Sequence, residues 1–200
     1  LQQNCTASIP DIATMESADA VLILGEDVTN TAPRIALALR QSVRNKAYEL
    51  AADLGLASWQ DAAIRNLAQD QRSPLYIASV ADTRLDDVAT ARISLAPDDI
   101  ARLAYAVGDT VAGTPCESLE QPLQQQVDTI ASALQGAQRP LIVSGTGCGS
   151  STVPAAAARL ADALSANGKQ AMLCLVVPEA NSLGQALLCG ADAPDLDQLQ

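Results

Sequence analysis

Two hundred residues, 48% hydrophobic and 18% charged, suit a compact α/β fold or two small lobes and exclude a disordered chain. Lys and Arg number 12 against 23 Asp and Glu, and the net charge of -11 disfavours nucleic acid and anionic lipid as partners. With no His, no Phe and 2% aromatic residues, the chain lacks the commonest general base and metal ligand and has little to stack on a base or flavin.

What survives is a scaffold, an interface, or binding through backbone groups. The five cysteines, Cys5, Cys116, Cys148, Cys174 and Cys189, form no CxxC pair and no metal-ligand spacing, which fits a reducing compartment. The longest apolar runs, Ala20 to Gly25 and Ala171 to Val177, fall far short of the ~20 residues a membrane span needs, so no insertion is expected. The chain begins at Leu1 with Met15 as its first methionine, which suggests an internal segment of something longer.

Ala20-Val21-Leu22-Ile23-Leu24-Gly25 is continuously apolar and stops at glycine, as a strand buried on both faces of a parallel sheet does. After Glu26 to Asn30, Thr31 is placed to cap a helix with Pro33 in its first turn, and Ile35, Leu39 and Val43 recur every four residues. A further helical stretch runs to Gly55. Ser58 to Asp61 reads as a capping-box start for another, with Trp59, Ala63, Ile64 and Leu67 as its buried stripe.

A second strand spans Leu75 to Val80 after Pro74 and closes at the turn Asp82-Thr83-Arg84. From Pro97 a helix carries Asp98 and Asp99 in its first turn, then Ile100, Leu103, Ala104, Val107 and Val111, and ends at Gly113. Ser118 with Gln121 opens the next, with Leu123, Val127, Ile130, Ala131 and Leu134 inward and a stop at Gly136. The piece from Thr114 to Glu117 is the expected boundary between a first α/β lobe, 1–115, and a second, partial lobe, 116–200. A third strand, Leu141 to Ser144, enters Gly145-Thr146-Gly147-Cys148-Gly149, an alanine-rich helix starts at Ser151 or Thr152 and ends at Asn167-Gly168, and a fourth strand runs from Met172 to Val177. Four apolar strands separated by helices imply parallel pairing and a Rossmann-like α/β fold.

Three loops are the candidates for chemistry. Gly145 to Thr152 joins a strand to a helix through glycines, the arrangement that offers backbone N–H groups to a phosphate. Its spacing departs from G-x-G-x-x-G, since the third glycine position holds Ser150 or Thr152, and it has no lysine, so tight turning and close helix approach are the simpler use of these glycines. After the first strand, Glu26 and Asp27 stand where a nucleotide would enter, each costing a phosphate about 1 kcal/mol at moderate dielectric. Adjacent acids on a loop are usually solvated; a cation is the other use for them. In the charged turn Asp82, Arg84, Asp86 and Asp87, Arg84 either clamps an anion or pins the turn through the aspartates. Cys148 is expected to be an inert thiol, and Asn181 to Gly184 either contacts a ligand through amides or caps a final helix.

The run Ala18 to Arg34, then Leu39-Arg40-Gln41, Trp59-Gln60-Asp61-Ala62-Ala63, Ser73-Pro74-Leu75, Asp82 to Asp87, Arg139 to Gly145 and Asn181-Ser182 resembles, in the same order, the G-subunit family of bacterial NADH-quinone oxidoreductase, respiratory complex I. That resemblance covers nearly the whole chain. It implies lobes similar to those of formate dehydrogenase and DMSO reductase, which hold a molybdopterin guanine dinucleotide. It also implies [4Fe-4S] and [2Fe-2S] clusters, whose ligands lie in amino-terminal domains outside this sequence, so none of the five cysteines inherits a ligand role. Cofactor-binding relatives typically read Gly-x-Asn-Pro after the first strand, where this chain has Gly25-Glu26-Asp27-Val28.

The expectation is therefore a vestigial cofactor fold, kept as packing scaffold in a subunit of an enzyme that passes electrons from NADH to quinone. No catalytic, metal-binding or cofactor-binding residue is expected; Gly25, Glu26, Asp27, Asp82, Arg84, Gly145, Gly147 and Asn181 are the remnants of a pocket. Expected partners are other peripheral-arm subunits of complex I, on the cytoplasmic side of the bacterial inner membrane. The alternative is a lobe that still binds a molybdopterin or other dinucleotide.

Overall fold

The apolar run Ala20–Leu24 forms β1, and every residue in it is buried. In an extended strand side chains alternate between faces, so Ala20, Leu22 and Leu24 join one hydrophobic cluster while Val21 and Ile23 join another. A continuous run is thus explained by two buried faces. In the computed structural model, which describes residues 5–114, 120–182, 184 and 188, β1 pairs in parallel with β2 (Leu75–Ser79) on one edge and β4 (Pro140–Gly145) on the other. Beyond them lie β3 (Ala91–Ser94) and β5 (Met172–Val176), giving a five-stranded, all-parallel sheet of order β3-β2-β1-β4-β5. This is the Rossmann-like α/β architecture the strand and helix alternation predicts.

Helices cover both faces. On one side lie α6 (Pro97–Ala112), α7 (Gln121–Gly136) and α8 (Thr152–Ala166), whose Ile100, Leu103, Val107, Ile130, Leu134 and Leu160 pack over Leu22, Tyr76 and Ile142. A Cβ added to Gly108 of α6 would lie only 3.5 Å from the Leu160 Cα of α8, so the two helices pack nearly backbone to backbone there. Across the sheet α1 (Ile12–Glu16), α2 (Val28–Thr31) and α3 (Pro33–Ser42) supply Met15, Val28, Ala36 and Leu39 to the second cluster. Gly113 ends α6 in the left-handed conformation at φ +69°, as its position after the periodic stretch predicts.

Several expectations are corrected. Thr31 does not cap the helix at Pro33: Asp27 caps the four-residue α2, and Ala32 separates it from α3 at φ -144° and ψ 67°. A residue before proline is pushed out of the helical region, which explains the break. The third strand, β3, goes unpredicted because it is a sheet edge of half-exposed and exposed residues, Ala91 to Ser94, without an apolar run. Trp59 is 79% exposed rather than buried, because α5 (Asp61–Ala68) begins after it; Ala63 is exposed too, and only Ile64 and Ala68 of that helix are fully buried. Ser118, Cys116 and Cys189 lie outside the described residues. The boundary expected near 115 falls between α6 and α7, and the strands on either side of it share one sheet through β1 and β4.

α4 (Asn45–Asp53) and α5 form an excursion that buries little of itself, and Arg44 of the α3–α4 junction bonds Asp61 at the start of α5 at 2.5 Å. The contrast between this excursion and the two clusters is measurable by urea unfolding. Ile130→Ala is expected to cost about 2–5 kcal/mol, the range for emptying a buried aliphatic site, whereas Trp59→Ala should stay within about 0.5 kcal/mol of the parent.

Candidate functional site

From β1 the chain crosses to β2 on one side, and from β4 it crosses to β5 on the other, so the loops leaving β1 and β4 diverge at the carboxyl ends of two neighbouring strands. Such a switch point leaves a crevice where open α/β sheets bind their ligands. Here its volume is about 320 Å³, and Gly25, Glu26 and Asp27 from the first loop, Asp82 and Thr83 from the loop after β2, and Gly147 and Cys148 from the loop after β4 line it. Gly25 has φ +71°, which lets the chain turn at the strand end, and a Cβ there would sit 2.8 Å from the Cys148 Sγ.

The two acids at the entrance are not solvated as expected. Asp27 is half-buried and accepts the Thr29 backbone N–H at 3.1 Å, the Thr29 hydroxyl, and the Asn30 side-chain amide at 2.6 Å. It therefore satisfies the start of α2 itself. Glu26 is 3% exposed, and its Oε1 accepts the Gly147 backbone N–H at 2.5 Å. Removal from water lifts the Glu26 carboxyl above its ordinary range; the Gly147 amide draws it down and the charge of Asp27 adds to the rise. No Lys or Arg lines the crevice among the described residues.

Gly145 and Gly147 both lie against Glu26. A Cβ at Gly147 would lie 2.6 Å from the Glu26 Oε2, and one at Gly145 would strike the Glu26 Oε1 and the Val176 carbonyl oxygen. At Gly145 the Val176 carbonyl is backbone and does not yield, whereas at Gly147 the obstacle is the movable end of the Glu26 side chain. The pairing Leu24 with Ser144 sets this arrangement, because it brings the residues after Leu24 level with the loop after Ser144.

The charged turn is pinned, but by other arginines than the one expected. Arg40 of α3 donates to both oxygens of Asp87 at 2.7 and 2.8 Å and to the Arg84 carbonyl at 2.7 Å. Arg92 of β3 holds Asp82 at 2.7 Å and Asp86 at 3.5 Å. Through its hydrogen bond, Arg40 lowers the Asp87 carboxyl below its usual range. The Arg84 side chain is exposed and makes no ion pair or hydrogen bond among the described residues. Asn181 is exposed beyond β5 and does not line the crevice. Of the eight remnant positions, Gly25, Glu26, Asp27, Asp82 and Gly147 line one crevice, Gly145 packs beneath it, and Arg84 and Asn181 stand apart.

The chemical groups of this constellation are few. It offers carboxylates and a thiol with no imidazole or amine beside them, and no group of three or more metal-ligating side chains occurs among the described residues. Its electrostatics have a measurable sign. With its carboxyl raised, folded Glu26 keeps a proton at pH values where the unfolded chain has released it, so stability falls as pH rises through that window. Glu26→Gln keeps the shape without the charge. Its melting temperature should exceed the parent's at pH 7, and the gap should close below about pH 4, where the ordinary carboxyl is also protonated. The opposite order at pH 7 would show that the Gly147 hydrogen bond outweighs the cost of burial.

No family model matches the chain. Its fold is similar to a chain in the crystal structure of the formyltransferase/hydrolase complex from Methylorubrum extorquens in complex with methylofuran, with a TM-score of 0.60, 12% identity, and coverage of 94% of this chain and 44% of that one. In sequence it is 46% identical over 184 residues to the G subunit of NADH-quinone oxidoreductase from Pseudomonas fluorescens, a match that covers 91% of this chain and 20% of that protein. The Salmonella typhimurium counterpart is 43% identical over 188 residues, and that of Escherichia coli K12 is 43% identical over 183. The chain spans about a fifth of the length of these curated relatives. Over nine tenths of its own length, then, this chain is homologous to one segment of the G subunit of NADH-quinone oxidoreductase, the family its motifs resemble.

Proposed function

We propose that the chain is a packing segment of a G subunit, in an assembly that passes electrons from NADH to quinone, and that it performs no chemical step itself. The observation that carries this reading is the charge of the switch-point crevice, where Glu26 and Asp27 stand at the entrance without an ion pair to Lys or Arg among the described residues, while Asp82, also lining it, is paired with Arg92. A dinucleotide would bring its two phosphates against those acids. At moderate dielectric each like-charge contact costs about 1 kcal/mol or more, as much as a helix N-terminus returns. The residues present therefore do not fit a molybdopterin dinucleotide, and no step is routed through one.

The remaining surface suits contact. Leu54 and Trp59 of the α4–α5 excursion are 65% and 79% exposed, and large apolar side chains left outside a well-formed core are ready to be covered by other domains or subunits. In this reading the neighbours are other peripheral-arm components of complex I, on the cytoplasmic side of the bacterial inner membrane, and the iron-sulfur clusters belong to domains elsewhere in the subunit. No helix among the described residues is long and apolar enough to cross a membrane, which agrees with a peripheral position.

Calorimetric titration of the chain with GDP and GTP, together with metal analysis of the longer subunit, tests the proposal. No heat of binding at micromolar nucleotide and no molybdenum are the expected results. Micromolar affinity or stoichiometric molybdenum would replace the packing role with that of a cofactor-binding lobe.

A further inference from the structure

We propose that the open edge of β3 takes a strand from another polypeptide of the assembly, an extended segment in which apolar side chains alternate with basic ones. Such a contact deepens the packing role proposed above, and rests on it for the presence of a neighbour. The two edges of the sheet differ. Along β5 the chain covers its own edge: Ser8 bridges Met172 in parallel, donating its N–H to the Ala171 carbonyl at 3.0 Å and accepting the Leu173 N–H at 2.9 Å. Thr6 fastens that segment by donating its N–H and its hydroxyl to Asp162 at 2.6 and 2.7 Å. β3 has no such cover: Ala91–Ser94 pair with β2 and make no other backbone hydrogen bond among the described residues.

A sheet edge left open is usually blunted by a proline or by a charge on the strand. β3 holds no proline, and its one charge, Arg92, is drawn aside to Asp82 and Asp86 at 2.7 and 3.5 Å. On the opposite face Ile93, and Leu95 two residues on, are half-buried against the helix-covered cluster. With Pro122 and Leu123 of α7 they floor a groove of about 560 Å³. A strand laid along β3 sends every second side chain to that face, so one extended segment engages both: its main chain bonds the edge and its apolar side chains enter the groove. Charge selects among such segments. Glu120 and Asp99 line the groove beside Arg102, which holds Asp99 at 3.2 Å, and Asp98 shares the first turn of α6 with Asp99. Three carboxylates against one guanidinium favour lysine or arginine on the incoming strand. They oppose a second copy of this chain, which would bring the same acids and a net charge of -11 to the contact.

The probe is a short synthetic peptide of alternating lysine and valine, titrated into the unaltered chain, with fluorescence anisotropy and the backbone amide resonances of Ala91 to Leu95 as readouts. Two controls accompany it: the same peptide with proline at two adjacent central positions, which cannot lie as a strand, and one with glutamate in place of lysine. The lysine peptide is expected to bind roughly tenfold or more tightly than the proline peptide, the worth of one or two edge hydrogen bonds, and to shift the β3 amides. The glutamate peptide should not bind. Leu123→Lys, which sets a charge on the groove floor, should weaken the lysine peptide by about tenfold again. Equal binding of the lysine and proline peptides would mean attraction to an acidic surface alone, and overturns the proposal. Amide shifts centred away from β3 do the same, as does a chain that self-associates through β3 without peptide, since the occupant would then be a second copy. Should Leu123→Lys fail to fold, the peptide comparison on the unaltered chain still decides. Micromolar nucleotide binding would defeat the packing role without altering the β3 amides, which keeps the two failures apart.

Discussion

β1 is hydrogen-bonded on both edges and packed on both faces, so its sequence has little freedom: five apolar residues, with alternate side chains belonging to different clusters. Pairing with β4 in the register Leu24 to Ser144 then has a consequence at the strand ends, where the chain leaves β1 and β4 in opposite directions. Whatever follows Leu24 must face whatever follows Ser144. The site is therefore made by the sheet, and the residues in it are neighbours because of a pairing between segments 120 residues apart.

At that meeting point two electrostatic effects compete, and their sizes decide how the crevice behaves. Repulsion by acids at an entrance acts through solvent and is worth about 1 kcal/mol per contact, less at physiological salt. Occupation by a covalently attached group is stronger in kind. The Glu26 carboxyl group needs no association from solution, and a competitor must displace it from the Gly147 N–H and enter beside Asp27. The effective concentration of a tethered group exceeds that of a free ligand, so even one hydrogen bond holds the position. Asp27 repeats the pattern on a smaller scale: its carboxylate accepts the Thr29 N–H of α2 and its carbonyl those of Asn30 and Thr31.

How much of this is legible in the sequence depends on the distance over which the information is spread. β1, β2, β4 and β5 are visible because burial on both faces demands unbroken apolar runs, and α6, α7 and α8 because their stripes recur over 15 or 16 residues. β3 is invisible for the converse reason: an edge strand with half-buried and exposed positions carries no run, and its Arg92 serves the neighbouring turn. Trp59 misleads because a large apolar residue near a helix start invites burial, and only the point where α5 begins shows that it lies off the helix. The acids at 26 and 27 are legible as an obstacle to phosphate. Their inward orientation is not, since it requires the β1–β4 register, which no local pattern encodes.

At the ends of β1 and β4 the Rossmann-like sheet meets its own chain. In a ligand-binding lobe loop glycines let the backbone approach a phosphate; here the Gly147 N–H is taken by the Glu26 side chain, and Gly145 packs against that side chain and the Val176 carbonyl. That removes a dependence, because the folded state needs no bound molecule to satisfy the Gly147 N–H. On the face covered by α6, α7 and α8, α6 and α8 pack nearly backbone to backbone at Gly108 and Leu160. Under the packing role proposed above, a lobe completed in this way gives its neighbours a surface whose shape does not depend on a bound molecule.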